Sequence, residues 1–347
     1  MFEAVVTLCL SLADDLCRDV LLPGYEAPSA AACSEKLADT APDIARFDGL
    51  TAKGDATCLP AGAALEVNEV APGLFVHAGV VQEPDAANGG DVANLGFVIS
   101  STGVAVIDTG STRAVGEGLW RAIRARTDLP VTHVILTHMH PDHVLGVSVF
   151  ADAGAEVVGH EALPRALADR RENYLESLER LVGAGSFIGT DTRAVTLPVT
   201  GTVPLDLGDR VLELTAWPPA HTGTDLTVLD RDSGVMFAGD LVFDRHTPAL
   251  DGSLLGWQGV MARLTDLDLT GIVPGHGAAR LDWPEGAAPM VRYLDTLARD
   301  TRAAISAGQR LGDAIQVIAQ GERDAWELFD AYNPRNATVA FTELEWE

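Results

Sequence analysis

The stretch Thr137–His143 reads THMHPDH and holds three of the nine histidines of this 347-residue chain. It directly follows the aliphatic segment Val131–Leu136, which is predicted to be a buried strand. The first two histidines end that strand, and the aspartate and the third histidine occupy the following turn. Imidazole and carboxylate groups together suit zinc, manganese or iron. The stretch therefore predicts a metal site above the edge of a sheet.

Three further ligand-type residues follow later apolar strands. His221 lies in WPPAHTGTD, Asp240 ends VMFAGD and His276 lies in GIVPGHG. Each is close to a glycine or a threonine, where the backbone can turn and side chains can converge. A core does not collect so many polar groups without a function. The predicted metal ligands are His138, His140, Asp142, His143, His221, Asp240 and His276.

The composition excludes several classes of partner. The chain has 50 acidic and 24 basic residues and a formal charge of −26. Such a surface repels nucleic acid and anionic membranes, and adaptation to a saline environment explains it without a binding role. No apolar run approaches the roughly 20 residues that span a bilayer. We therefore expect a small-molecule ligand, with any anion held by local cations.

Residues 1–64 are predicted to form a small N-terminal unit. The apolar stretch Ala4–Leu12 follows Glu3 and precedes the first basic residue, Arg18, so it predicts a strand better than a signal peptide. An even number of cysteines in one short segment predicts disulfides with three connectivities, and four separate buried thiols are the alternative. The cysteines are Cys9, Cys17, Cys33 and Cys58.

Residues 65–347 are predicted to form one α/β domain. Strand patterns and helix patterns alternate in two halves, which predicts a four-layer αββα sandwich. Two C-terminal helices are predicted over 288–307 and 311–320. Predicted strands are 65–70, 74–79, 95–100, 103–108, 131–136, 156–159, 210–216, 226–230, 235–238 and 271–274, and the other predicted helices are 113–126, 161–183 and 254–264.

The ordered motifs resemble those of the metallo-β-lactamase fold superfamily of metallohydrolases. The resemblance covers about residues 65–280 and includes VIDTG at Val106–Gly110. The chain looks most like the branch called quinoprotein relay system zinc metallohydrolases, akin to SoxH-type proteins. The stretches that carry this narrower resemblance are NGGDVANLGFVIS, THMHPDHVLG, FAGDLVFDRHTPALDGSLLGW and AFTELEWE.

The resemblance implies two zinc ions, with iron or manganese as alternatives. One ion would be held by His138, His140 and His221. The other would be held by Asp142, His143 and His276. Asp240 would bridge both ions together with a water.

Two aspartates refine this assignment. The β-lactam-cleaving branches place Cys or Ser near the position of Asp240, whereas Asp resembles glyoxalase II-like thioesterases and lactonases. Asp108 would fix the tautomer of a histidine ligand, or would only cap a turn after its strand.

The implied function is a zinc-dependent hydrolase in which a metal-bridging hydroxide attacks an ester, thioester or lactone carbonyl. Asp142 and Asp240 would be the catalytic carboxylates. Three alternatives stay open: a β-lactam hydrolase, a mononuclear iron persulfide dioxygenase, and a non-catalytic metal-binding relay module.

The loop FDRHTPALDGSLLGW after Asp240 supplies candidate substrate contacts. They are Arg245, His246 and Trp257. Arg245 would hold a substrate carboxylate with its two-pronged guanidinium, or would form a surface ion pair instead.

The family resemblance and the cysteines favour the periplasm and a link to periplasmic quinoprotein dehydrogenases. The poor signal-peptide pattern argues against export. Neither the composition nor the motifs specify an oligomeric state.

Overall fold

The computed structural model describes residues 1–11 and 13–347, with the side chains of residues 13–15 left aside. A seven-stranded sheet forms one half of the main body, in the order β11-β10-β9-β8-β7-β6-β5. Strands β8, β9, β10 and β11 run parallel, and β5, β6, β7 and β8 pair antiparallel. The strands are β5 Asn68–Ala71, β6 Leu74–His77, β7 Leu95–Ile99, β8 Val104–Ile107, β9 Val131–Leu136, β10 Glu156–His160 and β11 Leu197–Val199.

A five-stranded sheet forms the other half, in the order β12-β13-β14-β15-β16. Its strands pair antiparallel except for β15 and β16, which are parallel. Parallel neighbours bring their carboxyl ends to one edge, and two metal-ligand candidates lie on this pair. The strands are β12 Thr202–Asp206, β13 Val211–Ala216, β14 Leu226–Asp230, β15 Val235–Phe243 and β16 Gly271–His276.

Helices cover the outer faces of both sheets. Short 3-10 turns lie at Ile44–Arg46, Glu285–Ala287 and Gln320–Ala325. None of the helices in the described part of the chain is both long and apolar enough to cross a membrane. The helices are α1 Ala30–Asp39, α2 Arg113–Arg124, α3 Pro141–Val144, α4 Ser148–Asp152, α5 Leu163–Val182, α6 Ala184–Phe187, α7 Leu254–Thr265, α8 Ala288–Ser306, α9 Leu311–Ala314 and α10 Phe329–Leu344.

Three hydrophobic cores separate four layers. The central core lies between the two sheets and contains Ile107, Ile135 and Val228. A second core packs the outer face of the seven-stranded sheet against α2, α4 and α5, and a third packs the five-stranded sheet against α7, α8 and α10. Strand β8 is buried at every residue because both faces of its sheet are covered. The predicted αββα sandwich is confirmed.

The N-terminal segment forms a separate small sheet. Strand β1 (Phe2–Leu10) pairs with β2 (Ala13–Ala27), β3 (Leu50–Ala52) and β4 (Thr57–Pro60), all antiparallel. The predicted strand Ala4–Leu12 corresponds to β1, and its last residue, Leu12, lies outside the described residues.

Two disulfides link this segment, so the predicted pairing of the cysteines is confirmed. Cys9 pairs with Cys17 across the hairpin of β1 and β2. Cys33 of α1 pairs with Cys58 of β4. The alternative of four separate thiols is therefore wrong.

Buried charges attach the N-terminal sheet to the main body. Arg113, fully buried in α2, donates to the carbonyl oxygen of Leu21 at 3.0 Å and to Asp152 at 2.8 Å. Arg18 of β2 pairs with Glu117 of α2 at 2.7 Å. Each of these charges has an opposite partner, as a buried ion requires.

The C-terminal region differs from the predicted pattern. The helix predicted over 311–320 is only the single turn α9, which is followed by a 3-10 segment. Helix α10 was not predicted because Pro334 lies inside it and its apolar residues follow no clear period. Strand β15 also runs five residues beyond its predicted end and carries Asp240 in its interior.

Candidate metal centre

Seven polar side chains converge where the carboxyl ends of strands from both sheets meet. His138 and His140 follow β9, and Asp142 and His143 lie on the short helix α3. His221 follows β13. Asp240 belongs to β15, and His276 is the last residue of β16. The fold thus brings together all seven residues that the sequence predicted as ligands.

The first group consists of His138, His140, His221 and Asp240, whose ligand atoms lie within 4.8 Å of one another. His140 Nδ1 is 3.2 Å from His138 Nε2 and 2.9 Å from His221 Nε2. Three imidazole nitrogens therefore face one point, which is the arrangement expected of a metal site with nitrogen ligands.

The second group consists of Asp142, His143 and His276, within the same 4.8 Å limit. Asp142 Oδ2 is 3.3 Å from His276 Nε2 and 3.7 Å from His143 Nε2. One carboxylate and two imidazoles suit a second divalent ion and leave coordination positions open to a ligand.

The carboxylate of Asp240 stands between the two groups. Its Oδ2 lies 3.4 Å from His221 Nε2 and 3.5 Å from His276 Nε2. Its Oδ1 lies 3.2 Å from His143 Nε2. Asp240 therefore reaches ligand atoms of both groups, as a bridging ligand must.

Hydrogen bonds at the far ring nitrogens orient the imidazoles. His276 Nδ1 donates to the carbonyl oxygen of Val92 at 2.9 Å, and His221 Nδ1 donates to that of Ala249. Since Nδ1 carries the proton in these bonds, Nε2 keeps its lone pair for a metal. This tautomer is the one that a ligand histidine needs.

Asp108 orients His143 in the same way. Its Oδ2 accepts from His143 Nδ1 at 2.8 Å and from the Thr137 hydroxyl at 2.7 Å, and its Oδ1 accepts from the Thr137 amide at 2.8 Å. Asp108 is buried and has a left-handed φ of 57°. The carboxylate thus both closes a tight turn and contacts a histidine, which combines the two roles considered from the sequence.

Asp251 holds His140 from the other side, a contact that sequence reasoning missed. Its Oδ2 lies 3.3 Å from His140 Nε2 and accepts from Arg170 of α5 at 2.8 Å. Burial opposes ionisation of Asp251, but His140 and Arg170 outweigh it and lower its pKa. Asp251 lies in the loop FDRHTPALDGSLLGW, yet only the fold brings it to His140.

The pKa values of the imidazoles in the site are shifted in opposite directions. Burial lowers the pKa of His221 to about 3 and lowers that of His138 well below its usual value. Burial opposes protonation of His276 as well, but Asp240 and Asp142 raise its pKa to about 9. The two buried carboxylates therefore attract positive charge to this position, and they would attract a metal cation in the same way.

Two buried atoms indicate that the residues fit a metal. His143 Nε2 and Asp240 Oδ1 have no hydrogen-bond partner among the described residues, although they face each other at 3.2 Å. An orphaned buried polar atom is costly in a folded protein. A divalent cation between these atoms would satisfy both, and imidazole and carboxylate are donors that zinc, manganese and iron accept.

The centre lies at the floor of a cavity of about 430 Å³. His140, Asp142, Asp240 and His276 form part of its wall. Much of the remaining wall is apolar and comes from α5, α10 and the loop after β15. The apolar residues are Pro84, Val92, Pro141, Leu178, Leu181, Phe243, Ala249, Leu250 and Val339.

The three predicted substrate contacts occupy different places. His246 lines the cavity, and its ring lies 4.8 Å from that of His276. Trp257 is fully buried beneath His221 and donates to the carbonyl oxygen of Leu241 at 3.0 Å, so it does not reach the cavity. Arg245 lies outside the cavity wall and pairs with Glu327 at 2.6 Å, which is the surface ion pair that was the alternative.

The comparisons with known proteins fit this geometry. The sequence model described as "Metallo-beta-lactamase superfamily" matches residues 88–290, more than half of the chain. The chain belongs to this superfamily. The matched range contains all seven convergent residues and Asp108, and it ends before α10.

Individual relatives agree with the family. The chain is 26% identical over 218 residues to "Probable metallo-hydrolase YqjP" of Bacillus subtilis (strain 168), covering 52% of this chain and 66% of that protein. It is 30% identical over 226 residues to "Acyl-coenzyme A thioesterase MBLAC2" of Bos taurus, covering 55% and 77%. The sec-alkylsulfatase Pisa1 from Pseudomonas sp. superposes with a TM-score of 0.63 at 16% identity, over 81% of this chain and 50% of that one, which shows a shared fold.

Proposed function

We propose that this protein is a metal-dependent hydrolase of acyl thioesters or related esters and lactones. The observation that carries the proposal is the position of Asp240 between two groups of ligand-type side chains, at the floor of a cavity with apolar walls. The resemblance to a protein named as an acyl-coenzyme A thioesterase supports thioesters within this class. The apolar wall suits an aliphatic acyl group.

Two groups of residues would each hold one cation. His138, His140 and His221 would hold one, Asp142, His143 and His276 would hold the other, and Asp240 would contact both. A dinuclear divalent centre supplies a water nucleophile at neutral pH and polarises a scissile carbonyl. Zinc is the ion that we propose, because nitrogen-rich sites with one or two carboxylates suit it.

The side chains of the cavity would orient the water and shield the reaction from solvent. Asp142 lines the cavity and would orient the attacking water by accepting one of its hydrogen bonds. The water oxygen bonds to the carbonyl carbon, the carbon–sulfur or carbon–oxygen bond breaks, and the leaving group departs with a proton. Leu178, Leu250 and Val339 would keep bulk water away from the acyl group during this reaction.

The narrower assignment to the quinoprotein relay branch, and with it a periplasmic partner, rests on the quoted sequence stretches alone. It agrees with the paired cysteines of the N-terminal sheet, because disulfides persist in oxidising compartments.

Metal quantification and a substrate panel together test the proposal. The purified full-length protein should hold about two divalent ions per chain and should hydrolyse a thioester, an ester or a lactone. One iron per chain, with oxygen consumption on a persulfide, would refute the hydrolase. Failure to hydrolyse any member of a panel that also includes β-lactams would refute it as well.

Asp240→Ala tests the bridging role directly. The variant should lose metal stoichiometry, from two ions towards one, because both groups lose a shared ligand. Asp232→Ala removes an exposed carboxylate from the turn between β14 and β15 and serves as the control. A stoichiometry of two in the Asp240 variant, with an intact circular dichroism spectrum, would contradict the bridge.

A further inference from the structure

We propose that Arg335 recognises an anionic group on the substrate and so determines specificity. This inference rests on the proposed hydrolase function. Arg335 belongs to α10, lines the cavity and is exposed at its mouth. Because the family match ends at residue 290, this wall comes from a part of the chain outside the matched family range.

Arg335 has an unusual electrostatic position. In the described part of the chain, no carboxylate lies within 4.0 Å of its guanidinium, although acidic residues outnumber basic ones by two to one. The other arginines near the site are occupied, since Arg170 pairs with Asp251 and Arg245 pairs with Glu327. The donors of Arg335 are therefore available to a ligand.

An aromatic contact holds the guanidinium in place. Arg335 lies over the ring of Tyr332, with 5.6 Å from its central carbon to the ring centroid. Tyr332 contacts His246 at 4.6 Å between ring centroids, and His246 contacts His276 at 4.8 Å. A chain of ring contacts thus leads from the metal centre outward to Arg335.

The helix that carries Arg335 is firmly anchored. Asn336 donates to the carbonyl oxygen of Pro248 and accepts from the amide of Leu250 at 2.9 Å. Glu343 accepts from the Ser253 hydroxyl and the Leu254 amide, at 2.7 Å each. A specificity residue on a rigid element keeps its geometry better than one on a loop.

The charges around the cavity favour binding of an anion at Arg335. Glu83, Asp142, Asp240 and Asp251 also line the cavity and would repel a substrate anion. An anionic group would therefore meet Arg335 at the mouth while the acyl part lies along Leu178, Leu181 and Val339. A guanidinium binds carboxylates and phosphates with paired hydrogen bonds.

Three thioesters distinguish where the anion resides. Octanoyl-N-acetylcysteamine carries no charge, a 7-carboxyheptanoyl thioester of the same thiol carries the charge on the acyl side, and octanoyl-coenzyme A carries it on the leaving group. The metal-loaded protein should have a KM about fivefold to tenfold lower for one of the two anionic substrates at low ionic strength. The advantage should shrink with added salt, because Arg335 is exposed.

Arg335→Gln should raise the KM of the anionic substrate to about that of the neutral one, and Arg335→Lys should keep part of the difference. Arg299→Gln makes the same change of charge on the surface of α8, where Arg299 pairs with Asp300, and should change nothing. Non-hydrolysable thioether analogues, titrated by calorimetry, measure the same preference without turnover.

These results separate the two proposals. If no thioester, ester or lactone is hydrolysed, the proposed function fails, and thioether binding still decides the role of Arg335. If neutral and anionic analogues bind equally, or if the preference survives in Arg335→Gln, the role of Arg335 is refuted even in an active hydrolase.

Discussion

Replacing Asp108 by Asn should weaken metal binding at the group that contains His143. Asp108 is 2% exposed and accepts three hydrogen bonds, two from Thr137 and one from His143 Nδ1. Asn has nearly the same shape and tolerates the left-handed φ of 57°, so the backbone cost is small. The substitution removes the charge that strengthens these bonds and orients the imidazole.

The contacts determine the size of the effect. Loss of a carboxylate that orients a ligand histidine costs roughly 10- to 100-fold in metal affinity. The Asn side chain has one acceptor oxygen, which can keep the bond from the Thr137 amide, whereas its NH2 group cannot accept the bonds that Oδ2 accepts from the Thr137 hydroxyl and His143. At about 1 kcal/mol for each bond from Thr137, the free energy of unfolding of the metal-free protein should fall by about 2 kcal/mol. Of the two proposed ions, only the one held by His143 should be released more easily, because Asp108 contacts His143 and the first group lacks this bond.

Competition with a chelator measures the two affinities, and urea unfolding measures the stability. Asp230→Asn is the matched control, because Asp230 is also buried and accepts from the Ser233 amide at 2.9 Å and from its hydroxyl. It ends β14, away from the ligands, so its variant should lose stability without losing metal. Equal metal affinity in both variants and the unmodified protein would refute the orienting role of Asp108.

Three further predictions concern stability. Burial opposes protonation of His77, but the hydrogen bond and charge of Asp91 outweigh it and raise the pKa of His77. The contribution of this pair to the free energy of unfolding is therefore complete below about pH 6.5 and is lost as the pH rises through the raised pKa. His77→Gln should reduce the change in the free energy of urea unfolding between pH 6 and 8.5, and an unchanged pH dependence would contradict this. Replacing Cys33 and Cys58 by Ser opens a loop with a separation of 25 residues and should cost about 3 kcal/mol in urea unfolding, whereas no loss would show that the bond is dispensable. Arg113→Met removes the fully buried partner of Asp152 and should cost about 3 kcal/mol in the same assay. A loss below about 1 kcal/mol would contradict this and show that Arg46 and Arg193, which also pair with Asp152, are sufficient partners.

The convergence of the seven residues at the candidate metal centre was predictable because each one lies at or near the end of an apolar strand. An aliphatic strand such as β9 identifies itself by composition, and the polar residues after it then lie at the edge of a sheet. The bounds of β9 and β14 agree with the prediction residue for residue. These patterns made His138 and Asp240 candidate ligands, and the family resemblance placed them in one site before any distance was known.

The substrate side of the site was much less predictable. Trp257 and Arg245 follow Asp240 closely in sequence, yet one lies under the centre and the other lies outside the cavity. Tyr332 and Arg335 are far from the motifs in sequence and line the cavity. Closeness to a motif in sequence therefore does not predict which residues line the cavity, because helices far away in the chain form its wall.

The sequence by itself predicted the layered architecture, the presence of disulfides within one segment and the residues that converge on the candidate metal centre, while the pairing of the cysteines came from the structure. These features depend on hydrophobic periodicity and on strand ends, both of which are local. Only the tertiary structure decided that Asp251 supports His140, that Asp108 contacts His143 and that Arg335 faces the cavity. Such contacts depend on how elements far apart in the chain pack together, and packing is settled by the shape of the whole core rather than by any one segment.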